Sequence, residues 1–188
     1  KDTIKITNDS LNDIYINMYI HFDYLNKLIY SSFLVLNILP LYLNKFTCMS
    51  KKLELLMPAG NLEKLKWAIA YGADAVYAGV PMFSLRAREN QFTWETLAEA
   101  VEYCHSRGKK IYFTANIYAH NMKIKPFMAN FQKMMDMKPD AFIMSDPGLI
   151  HLVRKNFPEA EIHLSVQANN TNWAQAEFWK EMGITRII

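Results

Sequence analysis

The stretch Pro139–Gly148, PDAFIMSDPG, constrains the fold more than any other part of the chain. A short apolar run delivers two polar residues, Ser145 and Asp146, and Pro147 follows at once. Aspartate is a good helix cap and proline suits the first helical position, so the stretch predicts a buried strand, Ala141–Ser145, feeding directly into a helix. That helix is expected to reach Phe157, where Pro158 stops it. The same grammar recurs at Gly72–Gly79, GADAVYAG, and at Glu161–Asn169, EIHLSVQAN. Repeated strand–turn–helix units of this length predict a parallel sheet.

Taken in order, the first strand is expected at Leu53–Met57, closed by Pro58-Ala59-Gly60. Asn61 caps a helix with Leu62, Leu65 and Ile69 on one face, and Gly72 ends it. Asp74–Gly79 is the second strand. Thr93 caps the next helix, whose apolar stripe is Trp94, Leu97, Val101 and Cys104. Lys110–Asn116 is the third strand, and Pro126 is expected to open a methionine-rich helix carrying Phe127 and Phe131. Ile162–Val166 is the fifth strand. Asn172 and Gln175 suggest a capping box, Gly183 ends that helix, and Thr185–Ile188 begins a sixth strand.

The strands are near-continuous apolar runs, as in sheets covered on both faces. Five βα units and the start of a sixth strand fit an α/β fold of the incomplete (β/α)8 TIM-type barrel class. A doubly wound open sheet would want GxGxxG after its first strand, and MPAGNLEK lacks that spacing.

The first 48 residues read differently. They contain no Gly, Ala, Arg, Glu, Gln or Trp, whereas all four Trp and all five Arg lie after Met49. Asn, Ile, Tyr, Lys and Phe come from AT-rich codons, so residues 1–48 are expected to be a spurious or disordered leader ahead of a true start at Met49. Phe33–Leu43 is too short to span a bilayer and is broken by Asn37 and Pro40. The expected domain is residues 49–188, the N-terminal part of a barrel cut in its sixth strand.

A net charge of +3 neither demands nor excludes a nucleic-acid partner. Two cysteines are too few for a disulfide framework or a cysteine-only metal site. No metal site is expected, and a reducing, cytoplasmic setting is the default. Cys104, on an apolar stripe, reads as a buried structural thiol.

Side-chain alternation locates the candidate site. Tyr112, Thr114 and Asn116 share one face of the third strand, and His163, Ser165 and Gln167 one face of the fifth. The opposite faces are apolar and should meet the helices, which turns the polar sets into the barrel lumen. The strand-middle residues suit either a satisfied hydrogen-bond network or a pocket. The strand-end residues Asn116, Gln167 and Asn169 suit the pocket, since ligands bind at the carboxyl ends of barrel strands. Two long loops reach the same end. Val80–Phe92 carries Ser84, Arg86 and Arg88, and the two arginines suit an anionic ligand. Ile117–Lys125 carries His120 and Asn121, with His120 a candidate acid or base. The candidate catalytic set is therefore His120, Asn116 and Asp146; the candidate binding set is Ser84, Arg86, Arg88, Asn121, Ser145, Gln167 and Asn169.

Several long segments carry a resemblance. LLMPAG at Leu55–Gly60, YGADAVYAG at Tyr71–Gly79 and SLRARENQF at Ser84–Phe92 come first. GKKIYFTANIYAHN at Gly108–Asn121, PDAFIMSDPGLI at Pro139–Ile150 and HLSVQANNTNWA at His163–Ala174 follow. From Leu53 onward the chain resembles the collagenase-like peptidase family, and within it the bacterial tRNA hydroxylation proteins. The resemblance implies oxygen-independent hydroxylation of a wobble uridine in tRNA, with prephenate as hydroxyl donor. It also implies an iron–sulfur cluster on four cysteines beyond the residues given, none of it held by this chain. Prephenate is a dicarboxylate, which would give Arg86 and Arg88 a ligand of matching charge. A peptidase, or an inactive truncated barrel, are the other readings the resemblance leaves open.

Overall fold

The computed structural model describes Ile4–Lys5, residues 53–86 and residues 90–188. The chain divides into two units, Lys1–Ile6 with Glu54–Ile188, and Thr7–Leu53; the description concerns the first. Apart from Ile4–Lys5 the expected leader lies outside the described residues, as does Arg88.

Six parallel strands alternate with five helices. They are β1 (Leu56–Ala59), β2 (Ala75–Gly79), β3 (Lys110–Thr114), β4 (Ala141–Met144), β5 (Ile162–Leu164) and β6 (Arg186–Ile187). The helices are α1 (Leu62–Ala70), α2 (Trp94–His105), α3 (Asn121–Asp136), α4 (Pro147–Asn156) and α5 (Trp173–Glu181). The strands neighbour one another in sequence order with no switch point, the arrangement of a barrel wall rather than a doubly wound sheet. The sheet curls into a half-barrel. The short strand Ile4–Lys5 pairs antiparallel with β6.

Local chemistry explains the helix boundaries. Asn61 Oδ1 accepts from Lys64 N at 2.8 Å, and Thr93 with Thr96 forms a reciprocal capping box. Each such cap contributes about 1 kcal/mol. Gly72, Gly108 and Gly183 close the first, second and last helices with positive φ, where a side chain would be strained. At α5 the capping differs from the expected box: Asn172 accepts from Gln175 N, but Gln175 Oε1 turns to Thr171 N at 2.7 Å.

Three boundaries correct the sequence reading, the first being that β5 stops at Leu164 instead of Val166, because Val166–Ala168, with Gln167, winds into a 3-10 turn. β1 begins at Leu56 instead of Leu53, and Pro58 sits inside it opposite Tyr77. Proline is tolerated because β1 is an edge strand among the described residues, where a ladder hydrogen bond is wanted on one side only. Leu53 is left 90% exposed. α3 begins at Asn121, with Pro126 inside it, rather than opening at Pro126. Proline forfeits a single ladder bond there. Ile124, two residues earlier, packs on the core and offsets that loss.

The core lies between sheet and helices. Ile111, Phe113, Phe142, Met144, Ile162 and Leu164 point outward to meet Leu65, Leu97, Phe127, Phe131 and Val153. Phe131 is its hub, with ring centroids 4.6 Å from Phe142 and 4.9 Å from Phe157. Burying one such ring contributes on the order of 3 kcal/mol. Cys104 is fully buried in this layer.

Candidate functional site

The other face of the sheet forms the lumen, and its side chains fall into two zones. Toward the amino ends of the strands, Arg186 of β6 reaches Glu54, which precedes β1. Their Nη1–Oε1 distance is 2.5 Å, with a second contact, Nη2 to Oε2, at 3.4 Å. The Tyr112 hydroxyl donates to Glu54 Oε2 at 2.9 Å and lies 3.3 Å from Arg186 Nη1. The His163 ring packs edge-on against Tyr112, centroids 4.8 Å apart. Burial works to raise the Glu54 carboxyl, but the bonds from Arg186 and Tyr112, with the charges of Arg186 and Lys110, hold it below its ordinary value. Burial also pushes the Tyr112 phenol well up, and its bond to the Glu54 carboxylate adds to the shift, so it stays neutral. Neither Glu54 nor Arg186 stood out in the sequence. The signal was there: each is a lone charge within an apolar strand segment, LELLM and TRII.

Toward the carboxyl ends the lumen carries uncharged polar groups. The register places Thr114 and His163 on either side of Ile143, so Asn116, Ser145 and Ser165 come abreast two residues further on. Asn116 is buried and ties two loops together: its Oδ1 accepts from Leu85 N at 3.1 Å, and its Nδ2 donates to Gln167 Oε1 at 3.1 Å. Ser165 Oγ donates to the same Gln167 oxygen. Ser145 is 1% and Thr114 8% exposed, yet among the described residues neither hydroxyl has a hydrogen-bond partner. Buried polar groups are nearly always paired, so two orphans on one wall mark a place prepared for a polar ligand or water.

The expected site residues separate accordingly. Asn116, Ser145 and Gln167 meet in the lumen. Asp146 instead spends both carboxylate oxygens on backbone: Oδ1 accepts from Leu149 N at 2.8 Å as the α4 cap, and Oδ2 accepts from Ala119 N at 3.1 Å. Ser84 is buried within the β2–α2 loop. That loop folds over Gly79, where a Cβ would stand 2.8 Å from Asn90 Cγ and 3.0 Å from Ser84 Oγ. Arg86 is exposed at the top of the loop, beside the Leu85–Asn116 tie. His120 and Asn121 are exposed at the start of α3, and the His120 side chain makes no capping bond. Asn169 is exposed in a left-handed conformation, φ 54°, and stands apart from the lumen group.

The described residues do not fit an iron–sulfur cluster. No group of three or more His, Cys, Asp or Glu is placed to hold a metal ion among them. Burial pushes the Cys104 thiol up to about 11, and an un-ionised thiol is a poor ligand. Nor is any helix among the described residues long and apolar enough to cross a membrane.

Comparison with known proteins follows the same outline. The chain is 58% identical over 137 residues to tRNA hydroxylation protein P of Haemophilus influenzae, covering 73% of this chain and 30% of that protein. It is 33% identical over 142 residues to a 23S rRNA 5-hydroxycytidine synthase of Escherichia coli, covering 76% and 21%. The chain thus spans less than a third of the length of these relatives. A solved U32 peptidase superposes with a TM-score of 0.57 at 11% identity, over 70% of this chain and 56% of that one, a likeness of fold. Residues 60–188 match Peptidase family U32, and the chain belongs to that family.

Proposed function

We propose that this chain supplies part of the substrate chamber of a cytoplasmic RNA-hydroxylating protein acting on a tRNA uridine, with prephenate as the hydroxyl donor. The observation that carries the reading is the pair of unpartnered, buried hydroxyls at the carboxyl-end mouth, Ser145 Oγ and Thr114 Oγ1. A hydroxyl both donates and accepts, which suits the edge of a nucleobase or the carboxylate of a donor acid. The relatives named for RNA hydroxylation supply the reaction class. Arg86, with Arg88 close by in sequence, is the proposed contact for the dicarboxylate.

A hydrolase reading finds less support among the described residues. Peptide hydrolysis needs a nucleophile beside a base or a metal-bound water. Ser165 Oγ donates to an amide oxygen, Ser145 Oγ has no base beside it, and Cys104 is buried.

The test uses cells lacking their own tRNA hydroxylase and supplied with the intact protein containing this chain. Nucleoside mass spectrometry then reads 5-hydroxyuridine in their tRNA. Ser145→Ala should lower it about tenfold, the effect of one lost hydrogen bond to a reacting partner. Lys133→Ala, on the outer face of α3, should leave it unchanged. Wild-type modification in the Ser145→Ala strain would remove the hydroxyl from the chamber. No modification by the unmutated protein would sink the reaction class itself.

A further inference from the structure

The rim of the mouth carries aromatic and basic side chains for which the lumen has no use. Tyr118, in the loop after β3, is 51% exposed, and its hydroxyl donates to the Gln167 carbonyl. The ring is therefore held at its far end while its face stays open. Several other aromatic rings carry a cation: Arg107 and Lys66 lie over Tyr103, Lys133 over Trp94 and Arg186 over Tyr112, whereas Trp173, at the start of α5, is also exposed. Among the described residues no ring or cation covers Tyr118.

The charge around it is one-sided. Lys123 and Lys125 are exposed in the opening turns of α3. Residues 115–126 and 165–176, two of the segments forming the rim, contain no acidic residue. Asp146, whose carboxylate accepts from the N–H of Ala119 next to Tyr118, is committed to that and a second backbone N–H group. The turns at the opposite end of the strands hold acids instead, among them Asp74, Asp140 and Glu161. An open aromatic face among cations and amides matches nucleic acid, whose bases stack and whose phosphates are negative.

We infer that Tyr118 is the stacking platform for an unpaired base in a single-stranded RNA loop, and that Lys123 and Lys125 hold the phosphates beside it. The inference rests on the RNA-hydroxylation reading and adds which residues at the rim hold the RNA. A base in a duplex cannot turn its edge into a lumen, so the substrate base must be out of the stack. Stacking at the rim would stabilise that displaced state without demanding a particular neighbouring base.

Fluorescence anisotropy with the intact protein decides it, using a labelled RNA hairpin with an open loop and a fully paired RNA duplex of equal length. The unmutated protein should favour the hairpin. Tyr118→Leu should weaken hairpin binding about tenfold and leave duplex binding alone. Tyr118→Phe keeps the ring and should stay within about threefold. The double variant Lys123→Ala/Lys125→Ala should weaken both RNAs and flatten the salt dependence by about two phosphates' worth. Hairpin affinity unchanged in Tyr118→Leu would overturn the platform and leave the hydroxylation reading standing. Equal affinity of the unmutated protein for hairpin and duplex would also overturn it. Failure of the unmutated protein to bind either RNA would overturn both.

Discussion

The two ends of the lumen solve opposite problems with similar residue types. At the amino end the charged and phenolic groups answer one another: Glu54, Tyr112 and Arg186 close a triangle, with Arg186 Nε the one atom of it left without a hydrogen bond among the described residues. Nearby turns are pinned by Asp74 to Leu55 N and by Asp140 to Ile111 N and His105. At the carboxyl end two hydroxyls are buried with no such answer. The first end spends its polar groups on holding the sheet in its curl; the second leaves them available. Barrel enzymes divide stability and chemistry between their two ends in this way.

The largest effect should come from breaking the answered end. Arg186→Met removes one partner of a buried pair, which costs about 3–5 kcal/mol when the remaining charge stays buried. Glu54 is partly exposed, so the lower limit is expected, read as a drop in unfolding free energy in urea. Glu54→Leu added to Arg186→Met should recover part of the loss. An unchanged urea midpoint in the single variant would erase the contrast between the ends.

Next comes the loop over the mouth. Gly79→Ala drives a methyl into Asn90, whose side chain donates to Gly79 O and accepts from Phe92 N. Overpacking of this sort costs about 1–3 kcal/mol. Hydrogen exchange should rise across residues 80–92 while β4 and β5 stay protected. Uniform protection loss would mean that the loop and the sheet are one cooperative unit.

A smaller effect is expected from acid. The Glu54 carboxyl is held below its ordinary value of 4.5, so its stabilising contribution is full above that pH. It is lost as pH falls through the lower, folded-state value, because the unfolded chain then takes up the proton first. Urea midpoints should decline below pH 4.5 more steeply in the unmutated chain than in Glu54→Gln, in which the step is absent. Parallel curves would show that the triangle contributes nothing through charge.

Ser145→Ala should do least to stability. Its hydroxyl is buried without a partner, so removing it should leave the melting temperature equal or slightly higher, within about 1 kcal/mol. Loss of RNA hydroxylation beside retained stability would sharpen the comparison, since a residue kept for structure would show the reverse.

Much of the fold was legible because its determinants are local. Asn61, Thr93, Asp146 and Asn172 each cap the helix their position announced, and Gly72, Gly108 and Gly183 end theirs. Alternation along β3 and β5 turned Tyr112, Asn116, His163 and Ser165 inward, as a two-residue period requires. What escaped depends on distant partners. The start of α3 was decided by the seat of Ile124 in the core, which offsets Pro126. Arg186 and Glu54 lie 132 residues apart, and only the curl of the sheet brings them together. Asp146 has the composition of a catalytic residue, but its partners, Leu149 N and Ala119 N, give it a structural place that spacing alone could not reveal.

That placement of Asp146 has a consequence for how the mouth attracts anions. A helix pointing its amino end at a site ordinarily offers a fixed half-charge from its aligned peptide dipoles. In α4 a full negative charge already sits on that end, so the helix field is spent before any ligand arrives. Attraction must then come from side chains on flexible stems, such as the exposed Lys123 and Lys125. Such charges are screened over about 8 Å at physiological ionic strength. The mouth should capture its ligand loosely and from a distance in dilute salt, and grow indifferent to charge as the salt rises.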